Sequence, residues 1–210
     1  MLYRKIQPYI ESYLKSDSNK VLIIDGARQI GKTFIIRYVG QQFFENYIEL
    51  NFAEDYNGPR LFEQVRTVKD FYFQVSTIAG ERMGEKKNTL IFLDEIQAYP
   101  HLLTMLKFLK QDDRFTYIAS GSLLGVTLKK TTSIPIGSIE VKRMFPLDFE
   151  EFLLANGFNQ FAIDMMHEGD GPLQEISVDW RAARRRELLY CRHQHRKGQD
   201  DPSGYPRVLC

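Results

Sequence analysis

Cysteine is nearly missing from this sequence. The two it has, Cys191 and Cys210, fall close to its end, so neither a disulfide framework nor a cysteine-based metal cluster is available to a core built from the residues before them. An excess of charge is also missing. With 28 Lys plus Arg against 27 Asp plus Glu, no overall field draws the chain to nucleic acid or a membrane, and any basic patch must be local. No run approaches the roughly 18 consecutive apolar residues of a membrane span, and Met1 to Lys15 lacks the central apolar stretch of a secretory signal. The expectation is a soluble, cytoplasmic protein with no membrane partner. At 210 residues there is chain enough for one α/β domain with a full core, plus some extra sequence.

What is present centres on Val21-Leu22-Ile23-Ile24-Asp25 followed by Gly26-Ala27-Arg28-Gln29-Ile30-Gly31-Lys32-Thr33. Four apolar residues predict a buried strand, and the eight that follow Asp25 fit G-x-x-x-x-G-K-[ST], the phosphate-binding loop. Gly26 and Gly31 permit backbone angles and close approaches that a side chain would block, so that N–H groups can turn toward phosphate oxygens. A helix predicted from about Lys32 through Phe34 and beyond presents its unpaired first N–H groups, and their partial positive charge, to the same anion. Lys32 is placed to reach the β and γ phosphates of ATP, and the Thr33 hydroxyl to coordinate Mg²⁺. From Gly26 to Phe34 the backbone is the binding surface, with the side chains of Arg28 and Gln29 facing solvent.

Periodicity organises the rest. Leu2, Ile6, Tyr9, Ile10, Tyr13 and Leu14 predict a helix ahead of the first strand, and the alternation over Tyr47 to Phe52 predicts a strand at or near a sheet edge. Pro59 suits the first turn of a helix continued by Leu61, Phe62, Val65, Val68, Phe71, Tyr72, Val75 and Ile78. Gly80 to Asn88 reads as a loop, Thr89 to Glu95 as a strand, about His101 to Lys110 as a helix, Phe115 to Ser120 as a fourth strand, and Ile136 to Val141 as a fifth. Strands alternating with helices imply right-handed crossovers and a mostly parallel five-stranded sheet sandwiched by helices, the α/β architecture of a P-loop NTPase. Ligands of such sheets bind at the carboxyl ends of the strands, where Gly26 to Thr33, Asp94, Glu95 and Ser120 all fall.

Phosphoryl transfer to water needs a metal, a positioned water and donors for the charge that develops on the γ phosphate. Asp94, at the end of an unbroken apolar strand, is placed to hold Mg²⁺ through its waters, and Glu95 to activate the attacking water. An acidic pair alone is an ordinary strand exit; its position after that strand and downstream of the phosphate loop makes the catalytic reading the better one. Ser120 either senses the γ phosphate or caps a simple strand-to-helix turn. His101, alone at a helix start, is assigned no role.

These residues, with Leu93-Asp94-Glu95-Ile96-Gln97 and Pro100, Ser120-Gly121-Ser122-Leu123-Leu124-Gly125, and Phe145-Pro146-Leu147-Asp148-Phe149-Glu150-Glu151-Phe152, resemble a family of prokaryotic AAA-type ATPases over about Met1 to Phe161. The resemblance implies that the strand ending at Ser120 lies between those ending at Asp25 and Asp94, which would set Ser120 beside the γ phosphate. It also implies a C-terminal domain of unknown function after the ATPase domain, and often a homo-oligomeric ring in which an arginine from before the fifth strand reaches a neighbour's nucleotide. That segment offers Lys129 and Lys130 here, with Arg114 and Arg143 as other candidates. An arginine of this kind is worth ~10³ to 10⁵ in turnover, so without one the isolated chain is expected to hydrolyse slowly.

The composition changes near the end. Before Gly171 there are 12 lysines and 8 arginines; from there on, one lysine and seven arginines, with the only tryptophan, Trp180, and His193 and His195. Residues 1–168 are read as the ATPase domain and 169–210 as an atypical tail. Arg181 to Arg186 could serve a nucleic-acid or protein partner, or be solvated or disordered, or the tail could come from a shifted frame or truncated gene. Two other functions stay open: a nucleotide-dependent switch with negligible hydrolysis, and a kinase, against which stands the lack of an arginine-rich lid within Met1 to Leu124.

Overall fold

The strands are Val21–Asp25 (β1), Asn46–Asn51 (β2), Thr89–Asp94 (β3), Thr116–Gly121 (β4) and Ile139–Arg143 (β5); β1, β3 and β4 are buried along nearly their whole length, as strands covered on both faces of a parallel sheet are, while β2 and β5 carry polar residues and are less buried. They pair in the order β2-β3-β4-β1-β5, every pair parallel. The computed structural model describes residues 2–85, 88–122 and 137–168, which fall into two compact units. Arg4–Pro146 holds the sheet with helices α1 (Gln7–Lys15), α2 (Lys32–Phe43), α3 (Phe52–Asn57), α4 (Val68–Ala79) and α5 (Pro100–Asp112).

Strand alternation sorts the core into two layers. Leu22, Ile24, Leu90, Phe92 and Ile118 meet Ile10 and Leu14 of α1 and Ile35, Ile36 and Val39 of α2 on one face. Val21, Ile23, Ile91, Leu93, Tyr117 and Ala119 meet Phe71 and Val75 of α4 and Leu102, Leu103 and Leu106 of α5 on the other. The fold is thus an α/β sandwich with an all-parallel sheet. β4 lies between β1 and β3, with Ile24 beside Ser120 and Leu93 beside Ala119, so three strands end on one rim.

The second unit contributes α6 (Phe149–Ala155) and α7 (Gln160–Glu168) among its described residues. A capping box starts α6: Asp148 accepts the Glu151 N–H at 2.8 Å, and the Glu151 carboxylate accepts the Asp148 N–H at 3.2 Å. Residues 123–125, Lys129, Lys130, Trp180, residues 181–186, His193, His195 and both cysteines lie outside the described residues.

Several element boundaries differ from expectation, two of them because a polar side chain bonds to nearby backbone. The helix predicted from Pro59 begins instead at Val68, where Thr67 and Asp70 form a capping box with bonds of 3.1 and 2.9 Å. Before it, the Asp55 carboxylate accepts the N–H groups of Leu61 and Phe62 at 2.9 and 3.2 Å and draws that stretch into turns. Phe62 and Val65 reach the core without being helical, at 1% and 2% exposure. Asn51 ends β2 one residue early by capping α3, its side chain accepting from Ala53 and Glu54. The first helix starts at Gln7 rather than near Leu2, with Pro8 in its opening turn, and the fifth strand runs to Arg143, Ile136 lying outside the described residues.

Helix α2 lies close against the sheet at Gly40, where an added Cβ would meet Leu90 Cδ2 at 2.8 Å and the Tyr47 ring at 3.0 Å. Alanine in a helix interior is favoured over glycine by about 1 kcal/mol, yet overpacking costs about 1–3 kcal/mol. Gly40→Ala is therefore expected to destabilise the protein, and urea unfolding at constant m-value measures it.

Candidate functional site

The turn after β1 is shaped by two glycines for two reasons. At Gly26 the constraint is space: a Cβ would lie 2.4 Å from the Met144 carbonyl oxygen, a backbone atom that cannot rotate away. The Gly26 N–H donates to the Gly121 carbonyl at 3.3 Å, anchoring the loop's start to the end of β4. At Gly31, which caps α2, the constraint is angle, with φ +91° in the left-handed region; Gln29 is also left-handed at φ +62°. Left-handed residues in a short loop make the concave run of N–H groups that holds anions. Ala27, Arg28 and Gln29 are exposed and Ile30 half-buried, while Lys32 is 4% exposed.

The Lys32 ammonium donates to the carbonyls of Gly26 at 3.1 Å and Ala27 at 2.8 Å, and lies 3.9 Å from Glu95 Oε1. Its neighbour Thr33 donates through Oγ1 to Asp94 Oδ2 at 2.9 Å. The other Asp94 oxygen accepts the hydroxyl of Ser120, a side chain with no exposure at all. Burial pushes the Asp94 carboxyl above its ordinary pKa; the Ser120 and Thr33 hydroxyls oppose this, and the charges of Glu49 and Glu95 add to it. Arg37 of α2 holds Glu49 in a two-point contact of 2.8 and 2.5 Å.

Asp94 and Glu95 are consecutive, and on a continued strand their side chains would point to opposite faces. Glu95 instead takes a left-handed backbone, φ +53° and ψ +46°, and its carboxylate turns back to the rim where Lys32 lies. A non-glycine residue held there carries strain of about 1–3 kcal/mol, a frequent feature of working sites. One oxygen, Oε2, accepts the Ser122 hydroxyl at 3.0 Å and the Gln97 side-chain amide.

Lys32, Thr33, Asp94, Glu95 and Ser120 thus converge, while Phe34 packs beside Tyr38 on α2. Arg143 ends β5 next to Asp25, on the same rim. Arg114 precedes β4, at the opposite end of the sheet, over the Tyr72 ring. His101 packs edge-on to Tyr99 and meets the Phe62 carbonyl. Sequence reasoning gave no role to Gln97, Ser122 or Arg4. Gln97 stands two residues past Glu95 and Ser122 two past Ser120, which is a signal only once β3 and β4 are known to be neighbours. Arg4, 8% exposed, donates to the Ile30 carbonyl of the loop at 2.8 Å and to the Phe145 carbonyl at 2.6 Å. No local pattern announces it.

Residues 18–153 match the family described as AAA domain. No curated protein matches the chain. Similar solved structures include that of C. elegans PCH-2, 16% identical with a TM-score of 0.45, covering 85% of this chain and 52% of that one. Another is the closed-state cryoEM reconstruction of Hsp104 with ATPγS and FITC casein, 15% identical with a TM-score of 0.49, covering 78% of this chain and 30% of that one. The chain therefore spans about half or less of the length of these proteins.

Arg4 gives charge-assisted hydrogen bonds to two part-buried carbonyls, and bonds of that kind are worth about 1.5–3 kcal/mol. Arg4→Met is expected to lower stability by that order. Arg4→Lys should restore less than half of it, because a single ammonium lacks the planar fork that spans both oxygens. Chemical denaturation of the two variants checks this.

Proposed function

We propose that this chain, which belongs to the AAA domain family, binds ATP together with Mg²⁺ on the rim of its sheet and hydrolyses it to ADP and phosphate. The AAA domain is a nucleotide-binding module of ATPase type. The observation that carries the finer reading is the convergence of the loop with the acidic pair: Thr33 on Asp94 at 2.9 Å, and Lys32 at 3.9 Å from Glu95.

The roles follow from chemistry. The loop from Gly26 to Thr33 and the opening of α2 supply N–H groups and the helix dipole to the phosphates. Lys32 now rests on the carbonyls of Gly26 and Ala27, and reaches the β and γ oxygens by exchanging those acceptors for phosphate. The hydroxyl of Thr33 and the carboxylate of Asp94 are hard oxygen donors, the type that suits Mg²⁺. The fit is supported by Asp94's surroundings: it is 3% exposed and its close donors are hydroxyls, so a cation would offset the cost of burying its charge. Among the described residues no cluster of three or more His, Cys, Asp or Glu could hold a metal alone, in keeping with an ion that takes most of its ligands from phosphate and water. When bound, Mg²⁺ supplies neutralisation of the charge on the transferring phosphoryl group.

Ser120 orients Asp94 through its hydroxyl; a direct contact of Ser120 with the γ phosphate would require it to leave that partner. Glu95 accepts the proton of the attacking water. The proposal extends to residues 1–168 as the ATPase domain, to the cytoplasm as its location, and to self-association in which Arg143, on the rim, or another arginine reaches a neighbour's nucleotide. Among the described residues no helix is long and apolar enough to cross a membrane.

Two substitutions separate the parts. Lys32→Ala is expected to abolish ATP binding, measured with a fluorescent ATP analogue. Glu95→Gln should keep binding and lose at least about 100-fold in turnover, the scale of a general base. A chain that retains ATP without any single-turnover hydrolysis would be a nucleotide-dependent switch instead.

A further inference from the structure

We propose that Gln97 is a positioning residue for Glu95, its side-chain amide joining the ends of β3 and β4 so that one carboxylate oxygen is held and the other is left toward Lys32. The inference rests on the reading of Glu95 as the base. Gln97 sits in a short 3-10 turn, Ile96–Ala98, that immediately follows Glu95. The turn is itself fixed, with Ile96 fully buried and the Ala98 N–H donating to the Glu95 carbonyl at 3.0 Å.

Both ends of the amide are engaged. Its oxygen accepts the backbone N–H of Ser122 at 3.2 Å, and its nitrogen donates to Glu95 Oε2 and lies 3.1 Å from the Ser122 hydroxyl. A backbone N–H only donates, so its partner must be the amide oxygen, and this settles which way the amide faces. The Ser122 hydroxyl closes the ring on the same carboxylate oxygen at 3.0 Å. Glu95 Oε2 is therefore held from two strand ends, while Oε1 faces the Lys32 ammonium at 3.9 Å.

A glutamate at a strand exit otherwise gives up rotamer freedom each time it is ordered for reaction. Gln97 removes that requirement in advance. It also makes the direction of Oε1 depend on the register of β3 with β4, in which Leu93 faces Ala119. Gln97 touches neither the loop nor the proposed metal ligands in the contacts described, so its loss should act on turnover and not on binding.

The test uses the full chain, with steady-state and single-turnover hydrolysis of γ-labelled ATP and affinity for a fluorescent ATP analogue. Gln97→Leu, close in volume but without donors, is expected to lower kcat about 10- to 100-fold, the range of a misplaced reacting group. KM and analogue affinity should stay within about two-fold. In a Glu95→Gln background the same substitution should produce no further loss. Gln97→Asn, polar but too short, should fall with Gln97→Leu, and stands in for it if the apolar variant fails to fold. Wild-type turnover in both variants, an equal loss in the Glu95→Gln background, or a parallel loss of affinity overturns the inference. If Glu95→Gln itself turns over normally, the base assignment fails first. If the native chain shows no hydrolysis in a single turnover, the enzymatic reading and this inference fall together.

Discussion

The hydrogen bond from the Thr33 hydroxyl to the Asp94 carboxylate is the contact on which the site depends, because it joins two segments that the sheet keeps one strand apart. Thr33 sits in the first turn of α2, after the loop that leaves β1, and Asp94 ends β3; β4 runs between them. A parallel sheet brings strand ends to one rim, but it does not by itself aim a hydroxyl at a carboxylate. That aim comes from Gly26, pressed against the Met144 carbonyl, and from Gly31, whose left-handed backbone starts the helix at Lys32. Two residues without side chains thus shape the turn that brings the Thr33 and Asp94 side chains together.

Burial gives this contact its electrostatic character. Asp94 is buried, and desolvation is the largest single influence on its carboxyl, disfavouring the charge that the Ser120 and Thr33 hydroxyls help to hold. Glu49 and Glu95 add like charge nearby, and only Glu49 has its own arginine, Arg37. If the loop takes phosphate as proposed, a cation between it and Asp94 would offset the cost of that buried carboxylate. The affinity for Mg²⁺ and the affinity for phosphate would then be parts of one arrangement, since each ligand relieves the cost that the other's site carries.

Much of the fold was legible, because the features that decide it are local. Apolar runs at Val21 to Ile24 and Leu90 to Leu93 became central strands, and the spacing of Gly26, Gly31, Lys32 and Thr33 marked the loop and the helix after it. The family resemblance supplied the strand order, which periodicity alone does not contain. What was missed had one of two causes. At Asn51 and Asp55 a polar side chain bonds to nearby backbone and overrides the apolar period, ending β2 early and delaying the helix after Pro59. At Arg4, Gln97 and Ser122 the partners are distant in sequence, Arg4 and Phe145 by 141 residues, so their roles appear only when the strands are laid side by side. For Ser120 two readings stood open, a sensor of the γ phosphate or a cap on a strand-to-helix turn, and what the strand ends add is that its hydroxyl bonds to Asp94, which no spacing rule reports.

Among the described residues β2 and β5 each have one margin with no strand beside it, and strands with open margins invite other chains to add to them. On β5 three of the five residues are charged: Glu140, which accepts from the Tyr9 hydroxyl, Lys142, which lies over the same ring, and Arg143. Another chain laid along this margin would have to strip water from those charges without partners in return. Among the described residues Lys142 and Arg143 thus set cationic side chains along this margin, the kind of edge that disfavours growth of a sheet from one molecule into the next.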